Sequence, residues 1–342
     1  MLNSLRQVEI YIQLPSQLKH WQVGSIHTTS NNLGITSSCL QDEFNLRVAD
    51  SLFNGSATVA LIESCCPSIS NAWNVPLSDL NAILSGIQLA SGQDLEISTT
   101  CPKCLKSQIF SLDLSKATSS FNVDLWNEQV LIDGLTFAFL PPTYKQFTNF
   151  NINNYKYQKT IFQIKNLPIT EVPENILIDL TTATVDLQLQ LLDNSIKSIS
   201  VDQEEINDKT FIHEYLQNVE HQVVEQLVAK LNKCIEGTNL KNIQITCQHC
   251  THLYESGLNL DPAASFRSSM IQSSEEEITR MLNKMTREAK ELKADVIKMI
   301  WFMRGAISLS EAMLLTNRDR EIISKLIEEN LQITKDSGLP FF

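Results

Sequence analysis

At 342 residues the chain has room for about two domains and a core that needs no disulfides; 43% hydrophobic and 19% charged side chains describe a folded chain, not a disordered one. No apolar stretch reaches the ~18 residues of a membrane span, and Met1-Leu2-Asn3-Ser4-Leu5-Arg6-Gln7-Val8-Glu9 lacks the apolar block of a secretory signal, so the protein is expected to stay where it is made. A net charge of -12 repels phosphate backbones and leaves no polybasic segment for an anionic membrane, so neither nucleic acid nor membrane is an expected partner.

In chain order, Val8, Ile10, Ile12 and Leu14 alternate with mostly polar residues and predict a strand ending at Pro15. A helix over Leu40 to Phe53 follows, with Phe44, Val48 and Leu52 on one face. Asn54-Gly55 turns the chain, and Ser56 caps a second helix holding Val59 and Ile62 that Pro67 stops. Ser78 is expected to cap a helix lined by Leu80, Ile83, Leu84 and Ile87 and ending near Gly92. Leu95 and Ile97, then Ile109 and Leu112, flank the first cysteine pair as strand, turn, strand. Val130 to Leu140 reads as a hairpin about Asp133-Gly134, closed by Pro141-Pro142. The Asn-rich patch from Asn149 to Asn154 lacks periodicity and reads as a loop.

The middle is otherwise helical. Ile176, Leu177, Leu180, Leu187 and Leu191 recur at helix spacing, as do Phe211, Tyr215, Leu216, Val219, Val223, Leu227 and Leu231, a run that Asn207 or Asp208 can cap and Gly237 can end. A strand through Ile243 and Ile245 then enters the second cysteine pair, with Leu258 and Leu260 beyond it, repeating the layout of the first. Towards the C-terminus, Ile278, Leu282, Met285, Ala289, Leu292, Val296, Met299 and Met303 keep a 3.5-residue period along a helix about 40 Å long that Ser273 or Ser274 can cap. The narrow seam with charged flanks favours a partner helix, in the manner of a coiled coil, over packing on its own domain. Ser308 and Glu311 can form a capping box, Ile322, Ile323, Leu326 and Ile327 mark another amphipathic helix, and Gly338 stops it. The expected class is α+β: a small β-hairpin and zinc-knuckle core, a predominantly helical middle and a long C-terminal helical arm. The divisions fall at 1–142, 143–270 and 271–342.

The ten glycines exclude several chemistries, because none of the spacings of a dinucleotide fingerprint, a P-loop or a nucleophile elbow can be written with them. His213-Glu214 opens like a zinc-protease helix, but Gln217 stands where the second imidazole belongs. No catalytic residues are proposed and the chain is not expected to be an enzyme.

Of the eight cysteines, Cys101-Pro102-Lys103-Cys104 and Cys247-Gln248-His249-Cys250 carry the chemistry. A CxxC turn points two sulfurs the same way, and two such turns complete a tetrahedral four-cysteine site. The duplicated hairpin context therefore predicts one structural Zn2+ shared by Cys101, Cys104, Cys247 and Cys250, with Lys103, Lys106, His249 and His252 beside the sulfurs. Two reduced, half-buried pairs are the bland alternative. A zinc-ribbon nucleic-acid binder is the alternative function, although basic residues at the knuckles are few. Cys39, Cys65, Cys66 and Cys234 lie on helices or at their ends and are expected to be buried.

The order of these parts resembles the baseplate hub assembly proteins, or hub chaperones, of T-even-like contractile-tailed bacteriophages. Leu14-Pro15-Ser16 looks like that family's opening, Ser78-Asp79-Leu80-Asn81-Ala82-Ile83-Leu84 like its central signature, and Asp94-Leu95-Glu96-Ile97-Ser98-Thr99-Thr100-Cys101-Pro102-Lys103-Cys104 like its knuckle. Phe139-Leu140-Pro141-Pro142-Thr143-Tyr144 is similar too, as are the tail segments Trp301 to Ser308, Glu328 to Leu331 and Ser337-Gly338-Leu339-Pro340-Phe341-Phe342. One departure is that such knuckles usually place Gly after the second cysteine, where this chain has Leu105 and Thr251. The resemblance implies a non-enzymatic protein of tail-hub assembly in the host bacterial cytoplasm and the virion baseplate, with other hub or tail proteins as partners. The seam residues Leu282, Met285, Leu292, Val296, Met299 and Met303, with the terminal Phe341 and Phe342, are the expected partner-binding or self-associating surface.

Overall fold

The computed structural model describes residues 6–28, 30–92, 95–104, 106–112, 123–165, 167–201, 204–240, 243–256 and 258–338. The architecture is α+β, with three two-stranded sheets and one four-stranded sheet among the described residues. Strand β1 (Val8–Gln13) pairs antiparallel with β2 (Asn32–Thr36), whose Leu33 and Ile35 are fully buried. The helix expected over 40–53 is two helices, α1 (Leu40–Asn45) and α2 (Ala49–Phe53), separated by the extended Val48. The break has a packing cause: Leu40 enters a core with the C-terminal helices, whereas Leu52 packs with Phe266, and one straight rod cannot serve both.

Helices α3 (Ser56–Cys65) and α4 (Leu77–Ala90) complete the first layer. Gly55, at φ 83°, rather than Ser56, precedes α3, and Pro76 rather than Ser78 precedes α4. Gly86 lets α4 lie against β1 and β2, since a Cβ there would collide with Ile35 and press on Ile12. Two of the motif segments meet in this layer: the Ser16 amide and hydroxyl and the Trp21 indole N–H all donate to the buried Asp79 carboxylate. Leu14, Ile35, Ile62, Ile83 and Ile87 share this core with Tyr144, Leu240 and Leu260 from much later in the chain.

The first cysteine hairpin is β3 (Leu95–Thr100) with β4 (Ser107–Leu112). Next, β5 (Val130–Ile132) and β6 (Leu135–Phe139) turn about Asp133 and Gly134, at φ 51° and 76°, the pair of positive values that a two-residue hairpin of this hand needs. Helix α5 (Tyr144–Ile164) contains Asn149 to Asn154, correcting the loop expected there. Its start is fixed by a Thr143/Gln146 capping box, and Tyr144, Phe147 and Phe150 bury its apolar side, so the asparagines ride on the other faces.

Helix α6 (Glu174–Ser195) runs directly into β7 (Ile196–Val201), which the sequence reading missed. With β8 (Glu204–Ile206), it builds an antiparallel sheet in the order β5-β6-β7-β8. The run expected as one helix after Asp208 is α7 (Lys209–Asn218) and α8 (His221–Thr238), broken at the extended Val219. Ile212 and Leu216 of α7 and Val223, Leu227 and Leu231 of α8 converge on Trp126, Phe137, Leu192 and Ile199 in a second core.

The second cysteine hairpin is β9 (Ile243–Thr246) with β10 (Leu253–Ser256), followed by α9 (Pro262–Gln272). Asp261 caps α9 and also receives the hydroxyls of Thr58 and Tyr144, tying α3, α5 and α9 together. Helix α10 (Glu275–Phe302) opens with a Ser274/Glu277 capping box, α11 (Leu309–Ala312) with the expected Ser308/Glu311 box, and α12 (Asn317–Ser337) ends at Gly338, φ 63°. No helix is long and apolar enough to cross a membrane among the described residues.

Candidate metal centre

Each CxxC occupies the tip of its hairpin, and the two tips are closed by the same bond. The Cys101 amide donates to the Lys106 carbonyl at 3.0 Å, and the Cys247 amide to the His252 carbonyl at 2.9 Å. The tips meet face to face: Cys101 Sγ lies 3.6 Å from Cys250 Sγ, Cys104 Sγ lies 3.6 Å from Cys247 Sγ, and all four sulfurs fall within 4.8 Å of one another. Four thiolates bound at ~2.3 Å in a tetrahedron stand ~3.8 Å apart, so the donor set has the size and chemistry of a closed four-cysteine zinc site. Cys101 and Cys247 are buried and Cys104 and Cys250 partly so.

Electrostatics separates these thiols from the others. Burial raises the Cys39, Cys65, Cys66 and Cys234 thiols, Cys66 to about 12, which suits side chains that simply pack. At Cys247 burial opposes ionisation, but the amides of His249 and Cys250 and the neighbouring thiols donate to its sulfur and bring it down to about 6. At Cys250 the His252 amide favours the thiolate, yet burial and the thiol's own hydrogen bonds to Cys104, Cys247 and Cys101 hold its proton up to about 12. Four sulfurs this close cannot all be anionic unless a cation stands among them.

The sequence reading overlooked the residues that clamp the hairpins together. The Gln108 side chain, buried on β4, accepts from the Gln248 amide at 2.8 Å and donates to the Tyr254 hydroxyl at 3.1 Å. Thr99 and Ser256 hydroxyls approach to 3.4 Å beside it. Only the alternation of β4, which turns Gln108 opposite to the exposed Ile109, hinted at this role. Thr251 takes φ 56°, the left-handed conformation for which such turns ordinarily use Gly, and its hydroxyl donates to the Cys250 carbonyl at 2.7 Å. Leu105 lies outside the described residues.

The remaining expected site residues are elsewhere. Leu282 and Met285 pack beside Leu52, Ala57 and Phe266, while Leu292, Val296, Met299 and Met303 pack with Leu40, Ala312 and Ile323. The seam of α10 is thus covered by this chain's own α1, α2, α9, α11 and α12 rather than presented to a partner helix, because α1 and α2 bring two separate apolar patches under it. Phe341 and Phe342 lie outside the described residues. His213 Nε2 accepts from the Gln217 side-chain amide at 2.9 Å and Nδ1 donates to the Asp193 carboxylate at 2.6 Å, so the helical spacing read from His213 to Gln217 is real, with an amide in place of a second imidazole.

Comparison with protein families gives one finding: a family model described as T4 bacteriophage base plate protein matches residues 40–266, about two-thirds of the chain, from the start of α1 into α9 and across both cysteine hairpins. Neither the curated proteins nor the solved structures give a match.

Proposed function

Because this chain belongs to the T4 bacteriophage base plate protein family, we propose that it is a non-enzymatic component of the tail baseplate that acts in assembly of the hub, binds other hub or tail proteins, and is stapled by one structural Zn2+ on Cys101, Cys104, Cys247 and Cys250. The observation that carries the metal half of this reading is the four-sulfur cluster, whose separations match a tetrahedral dication and whose ligand set leaves no open position for substrate. In this reading the ion is a fastener: it joins hairpins from distant parts of the chain and so ties the segment after α4 to the segment between α8 and α9. The work of the protein is then done by its surfaces, in the host cytoplasm during assembly and in the virion baseplate afterwards. In this reading Phe341 and Phe342 serve as a docking element, two adjacent phenylalanines being an apolar pair that a pocket on a partner would cover.

One experiment tests both halves. The full chain and a chain ending at Gly338 are each recovered from infected cells; elemental analysis should give one zinc per chain for both, and hub subunits should accompany the full chain and be lost from the shortened one at unchanged melting temperature. Zinc near zero removes the staple. Absence of hub subunits with the full chain removes the assembly role.

A further inference from the structure

Helix α10 has three faces, set by its 100° turn per residue. One holds the seam and is packed. A second carries the ion pairs Lys284–Glu288, Arg287–Glu291 and Lys298–Asp295. The third runs through Lys290, Lys293, Ile297 and Trp301, all exposed, with Ile297 at 52% and Trp301 at 75% of full accessibility. It contains no acidic residue, and neither lysine makes an ion pair among the described residues. A tryptophan this open, on a stripe beside two cations in a chain of net charge -12, is an anchor in search of an acidic, apolar surface.

Such a surface exists on α12. Its buried side is Ile323 and Ile327, but Ile322 (52%), Leu326 (48%) and Ile333 (64%) form a separate exposed stripe with Glu329 and Asp336. Arg318 and Lys325 stand at its edge. The two stripes are of comparable length, about 17 Å on α10 and about 21 Å on α12 at 1.5 Å per residue, and of opposite polarity order. On α10 the cations come first and the apolar pair last; on α12 the apolar pair comes first and the acids last. Laid antiparallel with Trp301 against Ile322 and Ile297 against Leu326, the stripes place Lys293 beside Glu329 and Lys290 at Ile333, between Glu329 and Asp336 and within reach of both along its flexible stem.

We propose that the exposed stripe of α10 binds the α12 stripe of a second copy of this chain, with Trp301 as the apolar anchor at one end and the two lysines setting register against Glu329 and Asp336 at the other. The contact joins two different surfaces, so it propagates into a ring or a row rather than being used up in one self-complementary patch. Nothing in it depends on the baseplate reading.

Sedimentation of the full-length protein over a range of concentration and salt tests it. The wild type should self-associate, less so at high salt. Lys290→Glu with Lys293→Glu, and separately Glu329→Lys with Asp336→Lys, should each weaken association by about tenfold while leaving the melting temperature unchanged, because all four side chains are exposed. Mixing the two variants pairs an intact α10 with an intact α12 and a Glu-bearing α10 with a Lys-bearing α12, so the two variants should associate with each other, in alternation, at concentrations where neither associates alone. A chain carrying all four changes should associate again through reversed charges. A wild type that is monomeric up to its solubility limit overturns the proposal, as does association unaffected by either pair of changes or failure of the mixed variants to combine. Loss of binding to a different protein on Lys290→Glu and Lys293→Glu, with the wild type itself monomeric, overturns the second copy as the occupant.

Discussion

Replacing Cys247 with Ser removes one of four sulfurs while keeping the side chain's size, and its cost can be worked from the connectivity. The cluster joins Cys104 to Cys247 across 143 residues, and closing a loop of that length withdraws about 5 kcal/mol of conformational entropy from the unfolded chain at 25 °C in the chain-entropy treatment of a crosslink. The Gln108 side chain already bridges the hairpins, and unfolded CxxC pairs retain some affinity for the metal, so the expected loss is about 2–5 kcal/mol. Urea unfolding gives the total, and backbone hydrogen exchange read separately over 95–112 and 243–256 gives its distribution. Protection should fall in both hairpins together, and wild-type protein stripped by a chelator should behave like the variant. Loss confined to 243–256, or a wild type whose stability ignores the chelator, would refute the reasoning, since a shared ion cannot be lost from one hairpin alone.

Thr251→Gly should raise stability by about 1 kcal/mol, because a β-branched residue at φ 56° carries strain that Gly lacks; thermal unfolding of the zinc-loaded protein reads it, and a lowered midpoint would show the Thr251 hydroxyl to be worth more than the strain. Burial holds the Asp79 carboxyl above the usual carboxylate range against the pull of its hydrogen bonds from Ser16 and Trp21, so the folded state binds the proton more tightly than the unfolded one, and this group's contribution is largest in acid and falls as pH rises through the raised pKa. Asp79→Asn, which leaves an amide N–H among donors at a cost of about 2 kcal/mol at neutral pH, should therefore fall further behind the wild type as pH drops towards 4; a gap that narrows in acid contradicts the assignment.

Local chemistry was legible in the sequence where one or two residues decide the geometry. Asp133-Gly134, the Ser308/Glu311 box and the Gly338 stop all appear as read, because each is a backbone requirement met by its own side chains. The four-cysteine cluster was legible for the same reason, since each CxxC turn declares its pair of sulfurs before the fold brings the two pairs together. What was hidden depends on distant partners. Ile196 and Ile199 continue the apolar pattern of α6, and only their pairing with Phe139 and Phe137 makes them a strand. Asn149 to Asn154 look like a loop until Phe147 and Phe150 find cores to enter. The period of the α10 seam was plain, but a period says which side is apolar, not whose side chains will cover it, and here part of the cover, Leu40 to Leu52, comes from residues more than two hundred positions earlier.

The distance along the chain between the two cysteine pairs also sets a timetable. A ribosome adding about 5–20 residues per second releases Cys101 and Cys104 about 7 to 30 s before Cys247 exists, and Leu240 and Leu260, which complete the first core, emerge in the same late interval. Throughout that interval Cys101 and Cys104 lack their partner pair and the nascent N-terminal layer has an uncovered apolar face. Closure of the cluster and closure of the core therefore wait on the same stretch of chain, Leu240 to Leu260, and a chain truncated before Cys247 inherits neither.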